Sequence, residues 1–240
     1  MNVKFLISYD GSLYKGSQKQ PDKNTIEDKL LDAFKRINID TKIILSGRTD
    51  KEVHATGQVF NCEIPEFWSD FSKLKDTLNQ QLPFSIRIHH IKKVSQDFHS
   101  RFHAKKRVYR YIVSTKDVTA FNNKFITYAK NIDEKKIKEA IKEFIGVHDF
   151  EYFHKQGSDK DITIREVFDT KFYKYKDIYV FKFTANSYLR SQIRLMVGFL
   201  LNISQGKLNI EDLKSQLLKE KIIHRIPALA NGLYLAKVIY

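Results

Sequence analysis

Apolar and polar residues alternate at the start of the chain. Val3, Phe5 and Ile7 share one face, which predicts a strand over residues 2 to 8. The stretch "YDGSLYKGSQKQPDKN" that follows, with two glycines and a proline, reads as a turn-rich loop. Thr25 and Asp28 have the spacing of a capping box. Ile26, Leu30, Phe34 and Ile37 then recur at helical spacing. "TKIIL" and "GQVFNCEI" read as the second and third strands. Phe71, Leu74 and Leu78 mark a second helix that stops at Pro83, and "SIRIHHIKKV" reads as a fourth strand. The order β-α-β-β-α-β is that of a ferredoxin-like unit.

The second half repeats the theme. "RVYRYIVS" predicts a strand and "KFITYA" an additional one. Asp133 is placed to cap a helix with Ile137, Ala140, Ile141, Phe144 and Ile145 inward and Gly146 at its end. "TIREVFDTKFYKY" and "IYVFKFTAN" alternate as a hairpin. "LRSQIRLMVGFLLNIS" is a mostly apolar helix, a short helix follows near 210 to 219, and "LYLAKVIY" closes as a strand. The expected fold class is α+β. It comprises two ferredoxin-like halves, each an antiparallel sheet with helices on one face, residues 1–100 and 101–240, with a boundary near 96 to 104. A cleft between two such halves is the usual place for an active site.

Charge narrows the partner. Lys and Arg number 42 and Asp and Glu 28, a net charge of +14. A surplus of that size points to a polyanion. Basic residues interleave with aromatics in "KKRVYRY" (105 to 111), and aromatics can stack on unpaired bases, as in RNA recognition. No helix-turn-helix or zinc-finger spacing points to duplex DNA. No run of about 18 apolar residues predicts a membrane span. The N-terminus enters a strand directly, without a signal layout, so the expected location is the cytoplasm. Cys62, the single cysteine, leaves no thiolate zinc cluster.

Candidate chemistry sits in "SGRTDKEVHATGQVF", residues 46 to 60. Asp50, between Arg48 and Lys51, reads as a turn residue or as an ionised nucleophile or base held by a neighbouring cation. His99 and His103 in "DFHSRFHA" are four apart, a metal-ligand spacing, but lack the glutamate of H-E-x-x-H and a surrounding helical pattern. Arg190 and Arg194 fall four apart on the apolar helix. Arg194, between Ile193 and Leu195, reads either as an edge residue that snorkels or as a desolvated cation with an anionic partner. Tyr109 and Tyr111 share a strand face, in the core or as a base-stacking platform, with Arg110 opposite. No phosphate-binding glycine motif is present, which disfavours a nucleotide cofactor.

Taken together, these motifs resemble a known family. "GRTDKEVHATGQV" resembles the G-R-T-D-x-G-V-H-A signature of the tRNA pseudouridine synthase A family. "YDGSLYKGSQKQ", "DFHSRFHAKKRVYRYIV", "GVHDFEYF", "NSYLRSQIRLMVG" and "NGLYLAKVIY" are similar to its other motifs, in the family's order, from residue 9 to residue 240. The resemblance implies an isomerase that converts uridine to pseudouridine at positions 38 to 40 of the tRNA anticodon stem-loop. It implies no cofactor or metal and a homodimer of two α/β domains around a basic cleft. It places the catalytic aspartate at Asp50, the base-stacking tyrosine at Tyr109, the signature arginine at Arg48 and the basic partner of the aspartate at Arg194.

Two positions depart from that pattern. Glu52 stands where the signature has glycine, so a left-handed backbone there would be strained, and its charge falls near Asp50, with Lys51 available to offset it. Ser17 replaces a tryptophan, so packing by an indole is expected to be missing.

Overall fold

In the computed structural model of the chain, which describes residues 1–155, 157 and 162–240, the opening alternation becomes strand β1 (Asn2–Tyr9). Val3, Phe5 and Ile7 are fully buried on one of its faces. Helix α1 (Ile26–Arg36) starts at the expected capping box: Thr25 Oγ1 accepts the Asp28 N–H, and Asp28 accepts the Thr25 N–H at 3.1 Å. Strand β2 (Ile44–Leu45) is shorter than "TKIIL", leaving residues 41 to 43 outside the sheet. Strand β3 (His54–Glu63) is longer than the alternation from Gly57 onward predicts. Helix α2 (Phe71–Gln81), capped by Asp70, ends before Pro83, and strand β4 (Ile86–Lys93) follows.

Strand β5 (Lys106–Ser114) begins the second half, and the extra strand predicted from "KFITYA" shrinks to β6 (Thr127–Tyr128). Helix α3 (Glu134–Ala140) tightens into a 3-10 turn over Ile141–Phe144. That turn ends at Ile145, which is extended and 44% exposed rather than inward, because the helical phase is lost before it. Strands β7 (Gly146–Asp149), β8 (Ile164–Tyr175) and β9 (Ile178–Ala185) follow, β8 and β9 as the expected hairpin. Helix α4 (Gln192–Ser204) starts after Ser191, whose φ of 59° is left-handed. Arg190 therefore lies outside the helix, and the four-residue spacing does not put it on one helical face with Arg194. Helix α5 (Ile210–Leu217) and strand β10 (Leu233–Ile239) complete the chain.

The chain divides into two units, Met1–Lys105 with Tyr234–Tyr240, and Lys106–Leu233. In the first, the strand order is β4-β1-β3-β10. One edge of β3 is shared: β2 pairs antiparallel at Phe60 and Asn61, and β10 pairs parallel at His54 and Ala55. That distant partner extends β3 back to His54, and it places the closing strand with the first unit rather than with residues 101–240. Phe5 and Phe60 stack at 4.6 Å, and Phe34 of α1 meets Phe5 edge-on at 5.6 Å.

The second unit orders its strands β5-β9-β8-β7, all antiparallel, with β6 parallel on β5. Phe144 packs on Phe153 and Phe183, and Met196, Val197, Phe199 and Leu200 of α4 are fully buried. Each such side chain contributes about 1.5–3 kcal/mol through burial. The class is mixed α/β with mostly antiparallel pairing. No described helix is long and apolar enough to cross a membrane.

Candidate active site

The segment between β2 and β3 is a loop anchored by a buried polar chain. Ser46 Oγ donates to Gln58 Oε1 at 2.7 Å, and Gln58 Nε2 donates to the Gly47 carbonyl at 2.9 Å and to the Tyr9 hydroxyl at 3.4 Å. Having accepted from Gln58, the Tyr9 hydroxyl is placed to donate to Thr49 Oγ1, 2.8 Å away. Burial pushes the Tyr9 phenol up to about 12, so it keeps its proton at neutral pH. Thr49 is also gripped through its backbone: its N–H donates to Ser17 Oγ at 2.8 Å, and its carbonyl accepts the Ser17 N–H at 3.1 Å. Ser17, at the position where the family carries the indole, is fully buried and bonded to the residue before Asp50.

Asp50 is half-buried, with the exposed Arg48 and Lys51 on either side in sequence. Its carbonyl accepts the Val53 N–H at 3.2 Å, which closes a tight turn. A carboxylate on a turn pinned at both ends is held in a narrow range of positions. It can present an oxygen as nucleophile or base.

Glu52 occupies the position of concern: its φ is 66°, in the left-handed region. Its N–H faces the Tyr14 carbonyl at 3.4 Å, and its carboxylate pairs with Lys51 Nζ at 3.4 Å on the surface. A left-handed L-residue costs about 1–2 kcal/mol, whereas glycine there loses about 0.5–1 kcal/mol of unfolded-state entropy. Glu52→Gly is therefore expected to raise stability by about 0.5 kcal/mol, read by denaturant unfolding. A loss of stability would show that the surface pair with Lys51 outweighs the backbone strain.

His54, the first residue of β3, is buried and stacks on Tyr234 of β10 with ring centroids 4.8 Å apart. The Gly11 N–H donates to its Nδ1 at 3.0 Å, and the Asp10 carboxylate lies 3.4 Å from the same nitrogen. His54 is thus a support of the loop's exit, as its place in the motif suggests.

In the second unit, Tyr109 and Tyr111 do share a face of β5, with Arg110 exposed on the other. Tyr111 belongs to the core: its hydroxyl bonds Thr127 Oγ1 at 2.7 Å and donates to the Leu229 carbonyl at 2.9 Å. Tyr109, 7% exposed, meets the ring of Tyr188 edge-on at 5.2 Å. Burial, reinforced by Tyr109, raises the Tyr188 phenol well above its usual range. Arg194 is half-buried, and its Nε donates to the Ala228 carbonyl at 2.8 Å while Ala228 N–H returns a bond to the Arg194 carbonyl. That reciprocal pair orients the guanidinium. The sequence-identified residues thus fall into two pairs: Arg48 and Asp50 in the first unit, Tyr109 and Arg194 in the second.

His99 and His103 each direct their Nδ1 to the local turn. His99 Nδ1 accepts the N–H groups of Arg101 and Phe102, and His103 Nδ1 accepts the His99 N–H. Among the described residues, no group of three or more His, Cys, Asp or Glu side chains is placed to hold a metal ion. What the sequence reading missed is the support set Tyr9, Ser17, Ser46 and Gln58. Gln58 carried a usable signal, as an amide within the apolar run "GQVF".

Comparison with known proteins completes the picture. Residues 6–103 and 140–240 match the model of a family described as tRNA pseudouridine synthase. A protein named tRNA pseudouridine synthase A from Wolinella succinogenes is 39% identical over 234 residues, covering 98% of this chain and 92% of that protein. One of that name from Phytoplasma mali is 40% identical over 242 residues, covering 100% and 98%. Another from Campylobacter jejuni is 37% identical over 240 residues, covering both chains in full. The chain, with its mixed α/β fold, is thus an isomerase. More particularly, the chain belongs to the tRNA pseudouridine synthase family.

Proposed function

We propose that the chain converts uridine to pseudouridine in tRNA, at positions 38 to 40 of the anticodon stem-loop, in the cytoplasm and as a homodimer. In that reaction the N1–C1′ bond of the nucleotide breaks and a C5–C1′ bond forms; N1 gains a proton and C5 loses one. A uridine within a stem must first leave the stack, at a cost of a few kcal/mol. A basic protein offsets that cost through phosphate contacts, and the net charge of +14 suits this.

Asp50 is the catalytic residue in this reading, supplying an ionised oxygen at the glycosidic bond. Arg48 is its supporting cation in the same loop, Tyr109 binds the displaced base by stacking, and Arg194 supports the reacting groups as a second cation. No cofactor or metal takes part. The observation that carries the proposal is the position of Asp50: half-buried, on a turn clamped at Thr49 and Val53, within the stretch that matches the family.

The test is incubation of the purified protein with unmodified tRNA in EDTA, followed by mapping of pseudouridine. Product at one or more of positions 38, 39 and 40 is expected, with tRNA affinity falling steeply as salt rises. Product elsewhere in the tRNA would overturn the assigned positions. Bound tRNA with no product would replace the enzyme with a binding module, and product only on adding a divalent metal would move the chemistry away from Asp50.

A further inference from the structure

The loop that carries Asp50 is held from one side by the segment "GSLYKGS", residues 11 to 17. Gly11 lies against Val53, the Tyr14 carbonyl faces the Glu52 N–H, and Gly16 approaches Thr49 so closely that an added Cβ would sit 2.9 Å from its carbonyl oxygen. Ser17 makes the closest grip. Its hydroxyl oxygen accepts the Thr49 N–H at 2.8 Å and its own N–H donates to the Thr49 carbonyl at 3.1 Å, so both peptide groups of Thr49 are fixed, the second of them shared with Asp50. Ser17 is itself anchored, its carbonyl accepting the Glu27 N–H in the first turn of α1 at 3.0 Å. The helix is thereby tied to the loop through one fully buried residue.

We propose that Ser17 is a positioning residue for the isomerisation, holding the Thr49–Asp50 peptide so that the carboxylate stands at reacting distance. The proposal rests on the reading of Asp50 as catalytic. Removing the Ser17 hydroxyl leaves the buried Thr49 N–H without its acceptor and frees the turn on that side. Misplacement of a reacting group by about 1 Å can cost on the order of a hundredfold in rate. Affinity for tRNA, set by phosphates elsewhere, should not follow.

Ser17→Ala is therefore expected to lower kcat by about ten- to a hundredfold, with KM and tRNA dissociation constant within about threefold, at a temperature well below its melting point. Ser17→Thr, which retains the oxygen, should keep kcat within about threefold of wild type. If Ser17→Ala does not fold, Ser17→Cys, close in size but a weak acceptor, carries the same expectation. Unchanged kcat in the alanine or cysteine variant would overturn the proposal, as would a loss of kcat matched by an equal loss of tRNA binding, which marks a purely structural role. Wild-type protein without product would instead refute the reading of Asp50. An inactive Asp50→Ala beside a fully active Ser17→Ala would refute the role of Ser17 alone.

Discussion

Asp50→Ala is expected to abolish pseudouridine formation, a fall of about 10⁴-fold or more, as when a nucleophile is removed from other covalent enzymes. The fold should survive the change. The turn is closed by the Val53 N–H bond to the Asp50 carbonyl and by the bonds between Ser17 and the Thr49 main chain, and none of these needs the Asp50 side chain. Affinity for tRNA should stay within several-fold. The substrate is a polyanion, and removing one negative charge from a protein of net charge +14 does not weaken its attraction. Asp50→Asn should be as inactive, because it keeps the shape and loses the ionised oxygen. The measurement is single-turnover conversion of a tRNA transcript alongside its binding isotherm. Product at a rate near wild type in either variant would remove Asp50 from the chemistry and leave it a turn residue.

Gly11→Ala is expected to bring the largest loss of stability. An added Cβ would stand 1.9 Å from the Val53 carbonyl oxygen and 2.5 Å from its carbon. Neither partner can retreat cheaply. Val53 N–H is bonded to the Asp50 carbonyl, and Gly11 N–H is bonded to His54 Nδ1, so moving either peptide breaks a buried hydrogen bond. The cost should be about 3 kcal/mol, at the upper end for overpacking, which corresponds to a fall in melting temperature of about 6–12 °C. Activity should fall with it, since the displaced peptide leads into the Asp50 turn. Leu13→Ala, at a position 58% exposed in the same segment, is the control and should change stability by no more than about 0.5 kcal/mol. Equal melting temperatures for the Gly11 variant and wild type would show that the two segments can separate without cost.

Much of the fold is legible in the residues alone, and the reason is range. The capping box of Thr25 and Asp28, the phase of Ile26, Leu30 and Phe34, and the alternation of Val3, Phe5 and Ile7 involve partners within a few residues. A left-handed Glu52 is suggested by the glycine that the motif carries at its position, and its φ of 66° bears that out. Local pattern fails where a neighbour in space is distant in the chain. The start of β3 at His54 depends on a strand that begins at Leu233. Ile145 and Arg190 depart from their expected places because a 3-10 turn and a left-handed Ser191 interrupt the helical phase, and apolar periodicity does not register either.

Composition and periodicity determine the mixed α/β class and the basic character, because each depends on residue types and short intervals, and the resemblance of short motifs points to the family. How the Asp50 turn is held came from the folded chain alone. The grip of Ser17 on Thr49 spans 32 residues, and the Tyr9 and Gln58 bonds that complete it span 40 and 49. Hydrogen bonds over such separations leave no periodic trace, so a serine that read as a missing indole proved to be an anchor of the loop.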